Sequence, residues 1–480
     1  MAVLRLVAVL AVSAVSEAQA SPLDAPRSVS ASVLTQSAPE AKESPSATPA
    51  EPPAPPAPPG PPAPPAPPAP PVPPAPPAPP APPAPPAPPA PPTPAPENVL
   101  RPYGTLNVRL VVASGAVASF NQPNETAPSA AGDPVIPTLP DEARLSAQVG
   151  QSRLGLWVNE KGSLRGQVEV DFVDFAKATP TVQALPRLRI ARVDWVPAPG
   201  HTLSLGQDWD LAAPLNPHGI NMVGALFTAG NTGFMRQQLR YIRAQDTYEL
   251  GVALGFPAAN ATAKDAALEL ARVPTVAARG AYKFGTSRVG ASVLLSRLTY
   301  ATASPQERHG LSYQGALYSE LIPSPATTVR VELNLGQNTA NLGMLSLSQG
   351  RVDQDVRDVG GFISARHAFT PQHALYALAG LQRVLNPGDV VPAYAYPAST
   401  GTTRPAISSA ALSGTGPGMT RNGAARLGYE FKPGSALALM VEGFLYQSHY
   451  VLQAPDIAEF GGDAGRRSTA GIETGMLLTF

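Results

Sequence analysis

The sequence predicts an all-β chain, a transmembrane barrel of 16 antiparallel strands behind a secreted, proline-rich leader. Three observations carry that expectation. The chain ends on an amphipathic strand, side-chain alternation recurs from Tyr103 onward, and the links between strands alternate short and long. In the last strand Arg467, Thr469, Glu473 and Thr479 fall on one side, with Ala470, Ile472, Met476, Leu478 and Phe480 on the other. A period of two with one apolar face describes a strand lying between oil and water.

The N-terminus reads as a secretory signal over 1–20. Arg5 is the positive flank, Leu6 to Val15 the apolar core, and Ala18-Gln19-Ala20 the small-residue cleavage site before Ser21. An uncleaved anchor would need about 20 apolar residues, roughly twice this run. Residues 21–51 are rich in Ser, Ala, Pro and Glu without an aromatic, so disorder is expected there. From Pro52 to Pro96 the chain repeats Ala-Pro-Pro, interrupted by Gly60, Val72 and Thr93-Pro94-Ala95. Proline fixes φ and lacks the amide donor, so this linker is polyproline II. At ~3.1 Å per residue the rod would reach on the order of 140 Å. Without flanking Arg or Lys it reads as a spacer rather than a ligand for proline-binding modules.

Residues 99–480 form the barrel domain. Strands are expected near 103–113, 144–158, 163–175, 186–196, 201–210, 233–244, 246–256, 274–284, 287–300, 309–322, 326–337, 356–369, 373–385, 419–431, 435–449 and 467–480. The count is even, as a single-chain bacterial barrel requires, although one misjudged loop would make it 14 or 18. Arg165, Gln167, Glu169 and Asp171 interleave with Leu164, Val168, Val170 and Phe172, charged face inward and apolar face to lipid. Short links such as Pro197-Ala198-Pro199-Gly200 and Lys432-Pro433-Gly434 alternate with long ones such as 114–143, 211–232 and 386–418. Short turns at the periplasm and long loops outside put both chain ends on the periplasmic side of a bacterial outer membrane. A terminal Phe resembles the signal read by the barrel-insertion machinery. Two strands break the alternation, near Gly150–Arg153 and between Ile190 and Val193, where a bulge would restore the faces.

Composition narrows the chemistry. The absence of cysteine excludes disulfides, thiolate metal sites and lipoprotein acylation. Zero net charge argues against nucleic acid as the main partner. Only six of the 34 cationic residues are Lys, so the positive charge is mostly Arg, whose planar fork suits carboxylate or phosphate. The six histidines (201, 218, 309, 367, 373, 449) are scattered without metal spacing. No nucleophile, base and orienter converge, so neither an enzyme nor a cofactor or metal is expected. The sequons at Asn124 and Asn260 carry no meaning in a bacterial outer-membrane protein.

A 16-strand barrel leaves an aqueous lumen, so passage of solutes is the default role. The third long loop, Leu211 to Thr232, has no Asp, Glu, Lys or Arg and either folds into the lumen or stands as an apical loop. By parity Arg187 and Arg189 in strand four, and Arg236 and Arg240 in strand six, face the lumen, as do Arg109, Arg165 and Arg330. Arg192 and Arg243 have ambiguous parity. Carboxylates stand opposite at Glu169, Asp171, Asp208, Asp210 and Glu332. These groups either pair across strands and make a wet interior, or form a cationic ladder that concentrates small anions at an eyelet.

Several stretches resemble trimeric porins of the dicarboxylate-channel (DcaP-like) family. They are Gln151-Ser152-Arg153-Leu154-Gly155, Gly166 to Phe172, Leu205-Gly206-Gln207-Asp208-Trp209, Arg236-Gln237-Gln238-Leu239-Arg240-Tyr241, and Arg466 to Phe480. The resemblance covers the chain from about Tyr103 and implies a homotrimer of 16-strand pores with a basic eyelet, admitting small anions such as dicarboxylates. Family members often carry a heptad-patterned helix before the barrel; here the Ala-Pro-Pro rod stands in that place. The rival expectation is a structural tether, in which the rod crosses the periplasm and residues 21–51 contact peptidoglycan. Membrane lipid and lipopolysaccharide are expected around the barrel in either case.

Overall fold

The computed structural model describes residues 99–115, 143–172, 175–177, 182–184, 186–222, 225–231, 233, 235–255, 274–300, 308–339, 354–390, 392–396, 406–408 and 418–480. The expected signal, the 21–51 segment and the Ala-Pro-Pro rod lie outside them.

The strands are β1 (Leu100–Ala113), β2 (Arg144–Gln148 and Arg153–Val158), β3 (Leu164–Asp171), β4 (Arg187–Ala198), β5 (His201–Trp209) and β6 (Met235–Ala244). There follow β7 (Tyr248–Gly255), β8 (Thr275–Phe284), β9 (Ser287–Tyr300), β10 (Arg308–Ser324) and β11 (Thr327–Gln337). The last are β12 (Arg357–Ala368), β13 (His373–Val384), β14 (Met419–Phe431), β15 (Leu437–Tyr450) and β16 (Arg466–Thr479). Each pairs antiparallel with the next, and β16 returns to β1, giving a closed barrel of 16 strands. The closing seam runs from Thr105 opposite Thr479 to Ala113 opposite Gly471. Phe480 extends it, its amide donating to the Gly104 carbonyl at 3.1 Å and its own carbonyl accepting from Gly104 N–H at 3.0 Å.

Burial follows the expected parity. On β1 Leu106, Val108, Leu110 and Val112 are exposed, whereas Asn107 and Arg109 are 0% and 2% exposed. A soluble fold would bury the first set; here the apolar side chains clothe the outside, the surface that lipid covers. Near the short turns Trp195, Tyr241, Tyr282, Phe284, Phe369, Tyr429 and Phe480 form an exposed aromatic girdle. Two histidines belong to it. His201 Nδ1 lies 2.7 Å from the Tyr241 hydroxyl, and His373 Nδ1 lies 2.6 Å from that of Tyr429 while its ring stacks on Phe431.

Alternation breaks in both strands, over the expected residues in β2 but before Ile190 rather than after it in β4. β2 is interrupted over 149–152, where Ser152 N–H donates to the Val149 carbonyl at 3.0 Å. In β4 the register against β3 slips between Ile190 and Leu188, so Arg189 is the extra residue of a bulge and Leu188 keeps its lipid-facing side. The third strand stops at Asp171 rather than 175, and Phe175–Lys177 pairs with Val182–Ala184 in a separate ribbon. The loops expected at 386–418 and 450–466 also carry structure. Tyr394–Tyr396 pairs with Ala406–Ser408, and a helix α1 spans Ala454–Phe460. Val390, Ala393, Met419, Tyr450 and Leu452 pack there into a small apolar core.

Inward-facing tyrosines lie over glycines directly opposite on the neighbouring strand. Tyr103 covers Gly155, Tyr318 covers Gly290, and Tyr376 covers Gly428. A Cβ on Gly428 would lie 2.1 Å from Tyr376 Cζ, so only glycine fits beneath the ring. Such pairs bend the wall and fix register at once. Gly428→Val is expected to cost about 1–3 kcal/mol through overpacking, read as a lower unfolding midpoint of the detergent-solubilised barrel in a denaturant titration.

Candidate functional site

The loop between β5 and β6 folds into the lumen. Leu211, Leu215, Ile220 and Leu226 are each at most 3% exposed, the last three packed with wall residues that include Tyr376, Met440, Phe444 and Tyr446, and Leu211 with Ala253, Ala277 and Leu294. With no Asp, Glu, Lys or Arg in 211–231, nothing in the loop resists burial except its backbone, and the wall satisfies that backbone. Ser292 on β9 donates to the Ala212 carbonyl (3.1 Å), Arg330 on β11 to Asn216 O (3.0 Å), and Asn334 to Gly230 O (2.8 Å). His218 N–H donates to Ser364 Oγ on β12 at 3.2 Å, and Ile220 N–H to Glu442 Oε2 on β15 at 3.4 Å. Tyr446 donates to Ala225 O (3.0 Å), Asn422 on β14 to Thr228 Oγ1 (2.8 Å), and Asn107 on β1 to Ile220 O (3.3 Å). On β2 Gln151 both donates to Asn221 Oδ1 (2.7 Å) and accepts from Met222 N–H (2.9 Å), and Arg153 donates to Met222 O. These bonds seat the loop along the wall from β9 round to β2.

His218 is the only titratable side chain of the loop. Its Nε2 lies 2.9 Å from Glu430 Oε2, a carboxylate also held by Arg366 (2.6 Å) and Lys432 (2.9 Å). Its ring meets Tyr376 edge-on at 4.8 Å.

The arc of wall from β3 to β6 carries most of the arginines singled out in the sequence; Arg243 donates to the Tyr248 hydroxyl at 3.0 Å and lies 3.2 Å from His201 Nε2, and the others each meet a carboxylate. Arg187 grips Asp171 with two bonds, at 3.0 and 2.8 Å. Arg189 spans Glu169 (2.7 Å) and Asp171 (2.9 Å) beneath the Trp209 ring. Arg236 binds Asp210 at 3.0 Å, and Arg240 binds Asp208 at 2.5 Å. Arg192, ambiguous from parity, faces inward and shares Asp208 with Arg240. Arg165 reaches Asp194 at 3.3 Å. Single carboxylates thus bridge two cations, and arginine is in surplus along this arc.

Arg109 lies apart from that cluster. It binds Glu473 at 2.5 Å across the closing seam, and Glu473 in turn accepts from Arg426 at 3.1 Å, which also binds Glu442. All four side chains are at most 2% exposed. Arg330 pairs with Glu320 at 2.7 Å. Glu332 faces the lumen at 0% exposure, and neither of its carboxyl oxygens has a hydrogen-bond partner among the described residues. The sequence pattern missed Arg153, because the break at 149–152 hides its parity, and Glu442, because nothing in the spacing marks it as the loop's acceptor.

No family model and no curated protein sequence matches this chain. Among solved structures, the outer membrane channel DcaP of Acinetobacter baumannii matches with a TM-score of 0.55 at 14% identity, over 79% of this chain and 97% of that one. The chain has a porin fold. OmpF of Salmonella typhi (TM-score 0.47, 11% identity) and the outer-membrane OmpT of Vibrio cholerae (0.45, 12%) are also similar, each over 79% of this chain and 97% of theirs. Within this porin fold, the inward loop is the element that narrows the lumen. Replacing 216–229 by a short Gly-Ser link is expected to raise single-channel conductance several-fold in planar bilayers, with the barrel still folded.

Proposed function

We propose that the protein is a bacterial outer-membrane porin, a water-filled channel for passive diffusion of small, preferentially anionic, carboxylate-bearing solutes. The observation that carries this reading is the uncharged loop seated on one wall of a 16-strand lumen while the opposite arc, β3–β6, holds surplus arginine. The conduit is the space between them. Asp171, Asp194 and Asp208 are each shared by two arginines, so the arginine forks outnumber the carboxylates that hold them, and a low-dielectric sleeve strengthens their field on a passing carboxylate. Arg187, Arg189, Arg236 and Arg240 are the eyelet in this reading, with Asp208, Asp210, Glu169 and Asp171 holding them in place. Three such barrels assemble into a homotrimer, surrounded by lipid and lipopolysaccharide, with both chain ends in the periplasm.

Arg236→Ala combined with Arg240→Ala uncovers Asp210, leaves Asp208 to Arg192 alone and reverses the local charge. Reversal potentials across a salt gradient are expected to shift toward cation preference; an unchanged potential would remove these residues from the eyelet. The rod is assigned a separate, spacing or tethering role. Deleting 21–96 is therefore expected to leave single-channel conductance within the scatter of the full chain, and its loss with a folded barrel would place the rod in the pore.

A further inference from the structure

The outer face of β13–β16 carries a row of cations at the long-loop end. Arg383 on β13 lies directly opposite Arg421 on β14, Arg421 opposite His449 on β15, and His449 opposite Arg466 on β16. All four share the lipid-facing parity, and Arg383 and Arg421 are exposed. Like charges directly across a strand pair repel, since their Cβ atoms are only about 5 Å apart. The chain does little to offset this. Among the described residues Arg383 and Arg421 have no carboxylate partner, and the loop joining their strands, 386–418, contains a single acid, Asp389, whose Oδ2 accepts from Asn386 at 2.8 Å. With the Gln447 amide turned so that its oxygen faces Arg466, that oxygen would accept from the guanidinium at 2.8 Å.

The height of the row locates it. Along β14 the same face runs from Arg421 through Gly423, Ala425 and Leu427 to Tyr429 and Phe431. Ten residues at about 3.3 Å each, tilted by about 40°, rise about 25 Å, the height of an outer-membrane barrel's apolar band. With the aromatic girdle at one boundary of that band, the cations stand at the other, level with lipid headgroups. Below them the face is shallow. A Cβ on Gly443 would meet nothing within 4 Å, and one on Gly423 would touch only Leu381 and Gly380 at 3.5 Å or beyond. A furrow of small residues under a cationic rim has the shape of an acyl chain below a charged head.

We propose that this face binds the phosphorylated headgroup of an anionic membrane lipid through Arg383, Arg421 and Arg466, with an acyl chain lying over Gly423 and Gly443. Guanidinium forks pair with phosphate oxygens bidentately, and the bound phosphate supplies the counter-charge opposite Arg383 and Arg421. The site rests on the barrel spanning a membrane, which insertion into vesicles checks separately.

The test is native mass spectrometry of the purified full chain titrated with bis-phosphorylated lipid A, with its dephosphorylated form, and with inorganic phosphate. Wild type is expected to retain the bis-phosphorylated lipid at least tenfold better than the dephosphorylated one, and to show no retained inorganic phosphate. Arg383→Glu with Arg421→Glu is expected to abolish that preference while heat-modifiable gel mobility still reports a folded barrel; Arg383→Lys with Arg421→Lys retains part of it. Equal retention of the two lipids by wild type overturns the proposal without recourse to a variant. So does undiminished preference in the glutamate variant, or displacement of the lipid by inorganic phosphate alone.

Discussion

In hydrocarbon no water pairs with a backbone amide or carbonyl, so a spanning sheet must have no edge. Everything else in this protein follows from that requirement. The seam between β1 and β16 meets it, continuing through Phe480 and Gly104 to the last residue of the chain. A closed sheet of this strand number is wider than its wall side chains can fill, so the interior must hold either water or more chain. The inward loop is that additional chain. Its lack of Asp, Glu, Lys and Arg lets it lie against the wall, and the wall's polar side chains complete its backbone bonds.

The charged residues divide into two populations by what surrounds them. Arg109, Glu473, Arg426 and Glu442 form a desolvated quartet at the seam, balanced in charge. Removing one member would leave an unpaired buried charge, the costly event for such a network, so the quartet enforces register between β1 and β14–β16. The arginines of β3–β6 are paired as well, but with fewer carboxylates than guanidinium groups. The same residue types therefore form a charge-balanced network at the seam and one with an excess of arginine along β3–β6.

Much of the barrel was legible in the sequence, because a period of two survives any tertiary context that keeps lipid on one side. The strands and most of their inward faces follow from that alternation, but the position of the bulge in β4, at Arg189, and the sides of Arg153 and Arg192 do not. Strand ends were less legible: the ribbon at Phe175–Lys177 continues the alternation of β3 although it leaves the main sheet. The site was legible only by side. Parity placed Arg187, Arg189, Arg236 and Arg240 inward, but it says nothing of partners. Asp208 reaching both Arg192 and Arg240 depends on side-chain reach between strands. The pairing of His218 with Glu430 joins residues far apart in the chain, and no local pattern encodes it.

The loop's anchors have a consequence for the order of assembly. Asn422, Glu442 and Tyr446 come from strands β14 and β15, translated long after the loop itself. Until those strands are in place, the loop lacks the acceptor for Ile220 N–H and the donors to Thr228 and Ala225, and its apolar side chains lack Met440 and Phe444 as neighbours. Contacts so distant in sequence form late. The loop can therefore take its full seat only once β14 and β15 stand beside it, so the wall must be nearly complete before the interior is filled.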